Sequence, residues 1–192
     1  MCRLAQTLGV MNSITFRVVD QFPEPAYSEL AEQAFSNYQE SAILTDVARE
    51  ETAARSGTEE TGKEGALRIG AFSGERLIGW TFAQAQGSGH LYMVNSGVAL
   101  SERRKGIYSK MAELVIEHAK LHGYVAILSR HAANNNAVII AKLKLGFLVS
   151  GFEYSEVYGP LVRLTYLVGN LRRELYQARS NPIRRHRPKH DA

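Results

Sequence analysis

The sequence predicts an α+β domain (α/β in the wider sense) built on a mixed, mostly antiparallel sheet of about six to seven strands. Short runs of β-branched and apolar residues recur between glycine-containing turns, which is typical of antiparallel strands. Two segments in the second half instead carry apolar residues at helical spacing. One of these helices lies between two strands, and a strand–helix–strand unit makes the sheet mixed.

Composition limits the class of protein. The chain has 192 residues, of which 45% are hydrophobic and 22% charged, and this suits a single globular domain with its own core. No apolar run approaches the roughly 18 residues of a membrane span, and residues 1–11 do not resemble a secretory signal. Cys2 is the only cysteine, which excludes an intrachain disulfide and a cysteine-based metal cluster. We therefore expect a cytoplasmic protein without a metal or a membrane partner, and Met11 is a second candidate start.

The first third of the chain predicts one strand and two helices. Ser13–Val19 alternates and is rich in β-branched residues, so it is predicted as the first strand, after an N-terminal extension of residues 1–12. Apolar residues at helical spacing predict a helix over Tyr27–Tyr38 and a second over Thr45–Arg55. The polar stretch Ser56–Gly65 is predicted as a loop.

A hairpin and a third strand follow. Leu67–Phe72 and Leu77–Ala85 are predicted strands joined at Ser73–Arg76, because Ser-Gly between two apolar runs favours a tight turn. The next predicted strand is Leu91–Ala99. It contains Asn95-Ser-Gly97, which indicates a bulge or a close approach of two backbones.

A basic turn after that strand predicts an anion site. The turn lies within Leu100–Lys110 and opens a helix whose apolar stripe runs from Ile107 to His118. Its basic residues and glycine are Arg103, Arg104, Lys105 and Gly106. A helix N-terminus offers unpaired N–H groups and the positive end of the helix dipole. We therefore expect a phosphate-bearing ligand here.

The rest of the domain predicts a strand, a helix and two strands. Gly123 ends the preceding helix, and Tyr124–Ser129 is the next predicted strand. A helix is predicted over Asn134–Leu145, and Phe147–Val157 and Pro160–Val168 are the last two strands. The domain thus spans residues 13–169.

A basic tail, residues 170–192, follows the domain. It carries seven basic and two acidic residues, a net charge of +5, so residues 1–169 sum to −1. Such a tail can contact nucleic acid or an acidic partner. The alternative is a solvated, disordered terminus over Asn181–His190.

Two segments carry a resemblance to a known family. Val98–Tyr108 is similar to the acetyl-CoA-binding motif of the GCN5-related N-acetyltransferases (GNAT): Gln or Arg, two residues, Gly, one residue, then Gly or Ala. Arg103 and Gly106 match, and Tyr108 replaces the second small residue. About thirty residues on, Asn135–Phe147 opens with Asn and closes with Gly-Phe, as the family's later motif does. The resemblance covers roughly residues 66–168 and implies the GNAT fold, with helices on both faces of the sheet.

The resemblance implies acetyl-CoA as the co-substrate. The amides of the basic turn would wrap its pyrophosphate, with Gly106 allowing a backbone conformation or approach that a side chain would obstruct. The strand Tyr92–Leu100 would splay from its neighbour, and the pantetheine arm would pair with it. Asn135 would hydrogen-bond this arm, or only cap its helix. The implied cofactor-binding residues are Val98, Leu100, Arg103, Arg104, Lys105, Gly106, Ile107, Tyr108 and Asn135.

The resemblance also implies direct attack of an amine on the thioester. Many relatives place a tyrosine seven residues after the motif Asn to protonate the leaving thiolate, and here that position is Lys142. A lysine would stabilise a thiolate by charge, or it would simply face solvent. His131 is a candidate relay for the amine proton, with an ordered water as the alternative. The side chain of Tyr108 must turn away from the phosphates.

The expected function is therefore acetyl-CoA-dependent transfer of an acetyl group to a primary amine of a small molecule or peptide. A larger acyl thioester is the alternative donor. The alternative class is an acyl-CoA-binding, nucleic-acid-binding or protein-binding module on the same fold without catalysis. A homodimer is also compatible with the sequence.

Overall fold

The computed structural model describes residues 6–35 and 65–180. In this part of the chain the elements are β1 (Gln6–Met11), β2 (Ile14–Val18), α1 (Ala26–Phe35), β3 (Ala66–Ser73), β4 (Arg76–Gln86), β5 (His90–Val98), α2 (Ile107–Leu121), β6 (Ala126–Ala132), α3 (Asn136–Lys144), β7 (Leu148–Ser155), β8 (Gly159–Leu167) and α4 (Asn170–Ser180). The predicted helix Thr45–Arg55 lies outside the described residues, as does the predicted loop except for Gly65.

The strands form one sheet in the order β1-β2-β3-β4-β5-β6-β8-β7. Among the described strands only β5 and β6 pair in parallel, and the other six pairings are antiparallel. This confirms the mixed, mostly antiparallel α+β prediction. A parallel pair needs a crossover, and α2 provides it between β5 and β6.

The described sheet has eight strands, more than the six to seven predicted. The additional strand is β1, in the segment predicted as an N-terminal extension. It pairs with β2 across the two-residue turn Asn12-Ser13, whose φ angles are 46° and 66°. Positive φ at both central positions is the mark of a type I′ hairpin turn, for which Asn-Ser is a weaker signal than Asn-Gly.

Helices cover both faces of the sheet. Adjacent residues of a strand point to opposite faces. A Cβ built on Gly79 of β4 would meet Ile107 and Met111 of α2, whereas the next residue, Trp80, packs edge-on against Tyr27 and Phe35 of α1. The α2 side holds the larger core cluster, and the α1 side holds a smaller cluster around Trp80.

Helix α2 buries the stripe that its sequence predicted. Ile107, Met111, Leu114 and Val115 are at most 3% exposed. His118 lies partly buried at the end of this stripe and stacks on His122 with ring centroids 3.9 Å apart. Burial lowers the pKa of His118 to about 4, with a smaller contribution from His122. His118 is therefore a neutral residue at the edge of the core.

Helix α4 occupies the first half of the predicted tail. The Arg173 guanidinium donates to the Leu167 carbonyl at 3.0 Å and lies over the Tyr166 ring. The Tyr176 hydroxyl donates to the Val149 carbonyl at 2.7 Å. Packed structure therefore continues past residue 170, and Asn181–His190 lies outside the described residues. Among the described helices, none has the length and apolar character to cross a membrane.

Candidate active site

The centre of the site is a fork between β5 and β6. The two strands pair at His90–Ala126, Leu91–Ile127 and Tyr92–Leu128, and in the described structure their pairing stops there. The register of β5 against β4 shifts between Met93 and Asn95, which leaves Val94 as a bulged residue. Because a bulge bends its strand, β5 turns away from β6 at this point. Backbone groups on the two inner edges of the fork are thus left without a strand partner.

A close contact between the Gly97 backbone and the Trp80 ring lies further along β5. A Cβ built on Gly97 would lie 2.2 Å from the Trp80 ring, so only glycine fits there. The indole Nε1 of Trp80 donates to Asn95 Oδ1 at 2.9 Å. The predicted bulge therefore lies directly before the Asn95-Ser-Gly97 segment, at Val94, and the close contact at Gly97 is with the Trp80 side chain and not with a second backbone.

The basic turn presents an uncapped helix N-terminus. Arg104 and Gly106 have φ angles of 64° and 80°, and no side chain caps the first turn of α2. The backbone N–H of Lys110 donates to the Gly106 carbonyl at 2.9 Å and closes that first turn. The N–H groups before it have no acceptor inside the helix and are free to bind an anion.

Two side chains of the basic turn, Arg103 and Lys105, contact neighbouring residues, whereas Arg104 extends into solvent. Arg103 Nε donates to the Val98 carbonyl at 3.2 Å, so this side chain ties the turn to the end of β5. Lys105 pairs with Glu102 at 2.9 Å, and this contact contributes most to the lowered pKa of Glu102. Arg104 is exposed. A carbonyl does not neutralise Arg103, so the net positive charge near the N–H groups comes from Arg103, Arg104 and the helix dipole.

Other predicted cofactor residues lie around the fork and the turn. Val98 and Ile107 are buried, whereas Leu100 is 62% exposed. Tyr108 packs its ring against the core, and burial raises the pKa of its hydroxyl well above the usual range. Asn135 caps α3, because its Oδ1 accepts from the Val138 N–H at 3.4 Å. Capping is thus the observed role of Asn135 in this structure.

Lys142 lies at the apex of the fork and is completely buried. Its Nζ is 2.8 Å from Ser129 Oγ of β6 and 3.0 Å from the sulfur of Met93 of β5. Met93 and Ser129 directly follow Tyr92 and Leu128, the last two residues at which β5 and β6 pair. The expectation that Lys142 simply faces solvent is therefore wrong. Burial lowers its pKa to about 7, so charged and neutral forms are both populated near neutrality.

His131 lies two residues beyond Ser129 on the same face of β6. Its Nε2 is 3.1 Å from Ser129 Oγ, and its ring is partly exposed. Burial, and secondly the charge of Lys142, lower the pKa of His131 to about 3. The structure thus joins Lys142 and His131, which are eleven residues apart in sequence, through one hydroxyl.

Ser129 was missed by sequence reasoning. It is fully buried on the face of β6 that also carries Ile127 and His131. A hydroxyl at the inward position of a strand was the available signal, because buried polar groups need a hydrogen-bond partner. Met93 carried no such signal, since an inward methionine is ordinary core.

A groove lies beside the predicted cofactor residue Leu100, and the described residues contain no candidate metal site. A groove of about 430 Å³ is lined by Glu29, Glu32 and Gln33 of α1 and by Leu100. Across residues 6–35 and 65–180, His, Cys, Asp and Glu side chains form no group of three that could hold a metal ion.

Comparison with known proteins identifies the family. The family model described as the acetyltransferase (GNAT) family matches residues 23–147, well over half of the chain. The chain therefore belongs to the GNAT acetyltransferase family. No curated protein matches the chain by sequence.

Solved structures share the fold at low identity. The ribosomal-protein-S18-alanine N-acetyltransferase from Escherichia coli has a TM-score of 0.62 and 15% identity, covering 81% of this chain and 94% of its own. An IAA acetyltransferase from Bacillus cereus has a TM-score of 0.59 and 16% identity, covering 81% and 99%. A Bacillus anthracis protein described as a streptothricin acetyltransferase, solved with acetyl coenzyme A, has a TM-score of 0.50 and 17% identity, covering 54% and 62%.

Proposed function

We propose that this protein transfers the acetyl group of acetyl-CoA directly to a primary amine of a small molecule or peptide. The observation that carries the proposal is the fork between β5 and β6 beside the uncapped N-terminus of α2. The fork offers unpaired backbone groups to an extended amide-containing arm, and the helix terminus offers N–H donors to a pyrophosphate. Family membership and a solved neighbour in complex with acetyl coenzyme A support this donor.

The residues present fit the donor. A helix N-terminus without a side-chain cap leaves its N–H groups free for phosphate oxygens. Gly106 has nothing closer than the Met11 sulfur, at 4.0 Å, around the position of a Cβ, so a ligand can approach the backbone closely. Arg104 adds an exposed positive charge beside it. Val98 and Leu100 would line the arm at the end of β5, and Asn135 keeps its amide nitrogen for a further contact.

Bound acetyl-CoA would supply an activated thioester, and groups of this chain at the fork would surround it. Unpaired amides of β5 are candidates to polarise the thioester carbonyl. The charge of Lys142, held at the apex among groups of low polarity, would favour the thiolate that leaves. Because Lys142 is completely buried, it would act on the thiolate through the field or through its neighbours.

The donor site is tested with two glycines that flank the same helix. Gly106 and Gly123 lie at opposite ends of α2, have φ angles of 80° and 72°, and have no atom closer than 4.0 Å around the position of a Cβ. Gly106→Glu adds bulk and negative charge at the phosphate end, whereas Gly123→Glu adds the same side chain with comparable backbone strain at the other end. We expect calorimetry to show loss of acetyl-CoA binding for Gly106→Glu only. Equal affinity of the two variants for acetyl-CoA would contradict the assignment of the phosphate site to the N-terminus of α2.

Catalysis is tested by release of free thiol from acetyl-CoA with a panel of primary amines. We expect thiol release that depends on the amine and is absent in Gly106→Glu. If acetyl-CoA binds but no tested amine releases thiol, the binding-module class is favoured. Salt-dependent nucleic-acid binding that disappears on truncation after Ser180 would give the C-terminal residues the role of a partner-binding segment.

A further inference from the structure

Three polar side chains beneath the fork are joined in series by two hydrogen bonds. Lys142 Nζ and His131 Nε2 are 2.8 Å and 3.1 Å from the same Ser129 Oγ. Lys142 and Ser129 are fully buried, and His131 is the member with partial exposure. This hydrogen-bonded series therefore has one buried end, at Lys142, and one partly exposed end, at His131.

The buried end lacks a counter-charge. Nζ of Lys142 contacts the Met93 sulfur from β5 and lies 4.3 Å from the centroid of the Phe147 ring, which follows α3. Among the described residues no carboxylate lies within ion-pair distance of Nζ, and His131 is the titratable group nearest to it along β6. A lysine so placed gains and loses its proton readily near neutral pH, because nothing charged holds the ammonium form.

The hydroxyl of Ser129 has one proton, which fixes two hydrogen-bond patterns. When Lys142 is charged it donates to Ser129, and Ser129 donates to Nε2 of His131, so the imidazole proton lies on Nδ1. When Lys142 is neutral it accepts from Ser129, and His131 donates from Nε2. The two patterns differ by the shift of protons along two short hydrogen bonds and by the release of the Nδ1 proton, without movement of any heavy atom.

We propose that Lys142, Ser129 and His131 form a proton relay that passes a proton from the buried ammonium to the thiolate leaving acetyl-CoA. This inference rests on the proposed function. Lys142 gives a proton to Ser129, Ser129 gives its own to Nε2, and Nδ1 of His131 releases its proton to the sulfur as the C–S bond breaks. His131 is the catalytic residue because it alone of the three has exposed surface, and the other two act through it.

Protons return along the same relay, from His131 to Lys142, in the second half of the cycle. The amine loses one proton when its nitrogen becomes an amide, and Nδ1 of His131 accepts that proton directly or through water. Nε2 then returns a proton to Ser129, and Ser129 returns one to Lys142. Over one cycle the amine proton has moved to the thiol, and the protein is unchanged.

The relay is first tested without turnover. Nitrogen-15 NMR of the histidine side chains, with His131 assigned from the spectrum of His131→Asn, reports which ring nitrogen carries the proton. We expect His131 to change from the Nδ1–H to the Nε2–H form as Lys142 loses its proton near pH 7. The change should be absent in Lys142→Met and present in Lys144→Met, an exposed lysine on the same helix. A single tautomer across this range in the unaltered protein overturns the relay.

Turnover then tests whether the relay serves the leaving group. Ser129→Ala removes the linking hydroxyl, and we expect kcat to fall roughly 100-fold, the lower end of the range for a lost proton-transfer group, with KM for acetyl-CoA unchanged. The fall of kcat above about pH 7 should disappear in this variant, and Ser129→Thr should restore both. Thiol release by the unaltered protein with an unchanged kcat in Ser129→Ala overturns the relay alone. No thiol release by the unaltered protein overturns the proposed function, and the NMR outcome then decides the relay separately.

Discussion

Replacing Lys142 by methionine should flatten the dependence of protein stability on pH. Burial lowers the pKa of this lysine from an ordinary 10.5 to about 7. At about 1.4 kcal/mol for each pH unit, that interval corresponds to roughly 5 kcal/mol of destabilisation when the group is charged. Methionine keeps an unbranched apolar chain of similar length and removes the charge, while Ser129 keeps its contact with His131.

The sign follows from proton binding. Between pH 7 and 10.5 the unfolded chain holds a proton on Lys142 that the folded protein does not, so this group makes the free energy of unfolding rise with pH. Below pH 7 Lys142 is protonated in both the folded and the unfolded state, so the full destabilisation from burying its charge is present. The advantage of Lys142→Met over the unaltered protein should therefore be largest at or below pH 7. It should shrink by up to about 4 kcal/mol by pH 10.

Urea unfolding at pH 6.5, 8 and 10 measures this difference. Trp80 is the only tryptophan and is fully buried, so its fluorescence reports loss of the core. Lys144→Met removes an exposed lysine from the same helix and should leave the pH dependence intact. Parallel stability curves for Lys142→Met and the unaltered protein from pH 6.5 to 10 would refute the reasoning that burial alone controls this lysine.

Two further predictions concern the packing of β5 against β4. Gly97→Ala places a Cβ about 2 Å from the buried Trp80 ring, so we expect a loss of about 1–3 kcal/mol by urea unfolding, whereas Gly87→Ala, with no atom within 4 Å, should be nearly neutral. A neutral Gly97→Ala would mean that the ring is free to move. Asn95→Ala leaves the buried Trp80 Nε1 without its acceptor and should cost about 1–3 kcal/mol, accompanied by a shift of tryptophan emission; unchanged stability would show that water replaces the amide.

Local sequence signals were sufficient for most of the fold. Ser73-Gly74-Glu75-Arg76 predicted a hairpin, and Ser73 and Arg76 close it as a pair. Asn95-Ser-Gly97 predicted a bulge or a close approach of two backbones, and a bulge lies directly before it, at Val94. These signals are reliable because a turn or a bulge requires particular backbone angles or the absence of a side chain at one position. Strand β1 was not predicted from the sequence because the turn Asn12-Ser13 lacks the glycine that usually marks such a hairpin.

The face of α3 that is buried could not be read from sequence. Val138, Ile139, Ile140, Ala141 and Leu143 surround Lys142 with apolar residues on nearly every side, so no stripe distinguishes a buried face. In the structure Ile140 and Leu143 are 51% and 42% exposed, and the lysine is the buried residue. The bulge that turns β5 from β6 makes room at the apex, and Lys142 extends into it from α3.

The sequence by itself determined the order of the described elements from β2 to β8, the mixed sheet, the glycines of the turns and the family resemblance, because each depends on residues close together in the chain. Only the tertiary structure decided that Met93, Ser129 and Lys142 meet at one point, since they come from two strands and a helix far apart in sequence. Burial in that meeting place, a property of packing, lowers the pKa of the lysine and links it to His131.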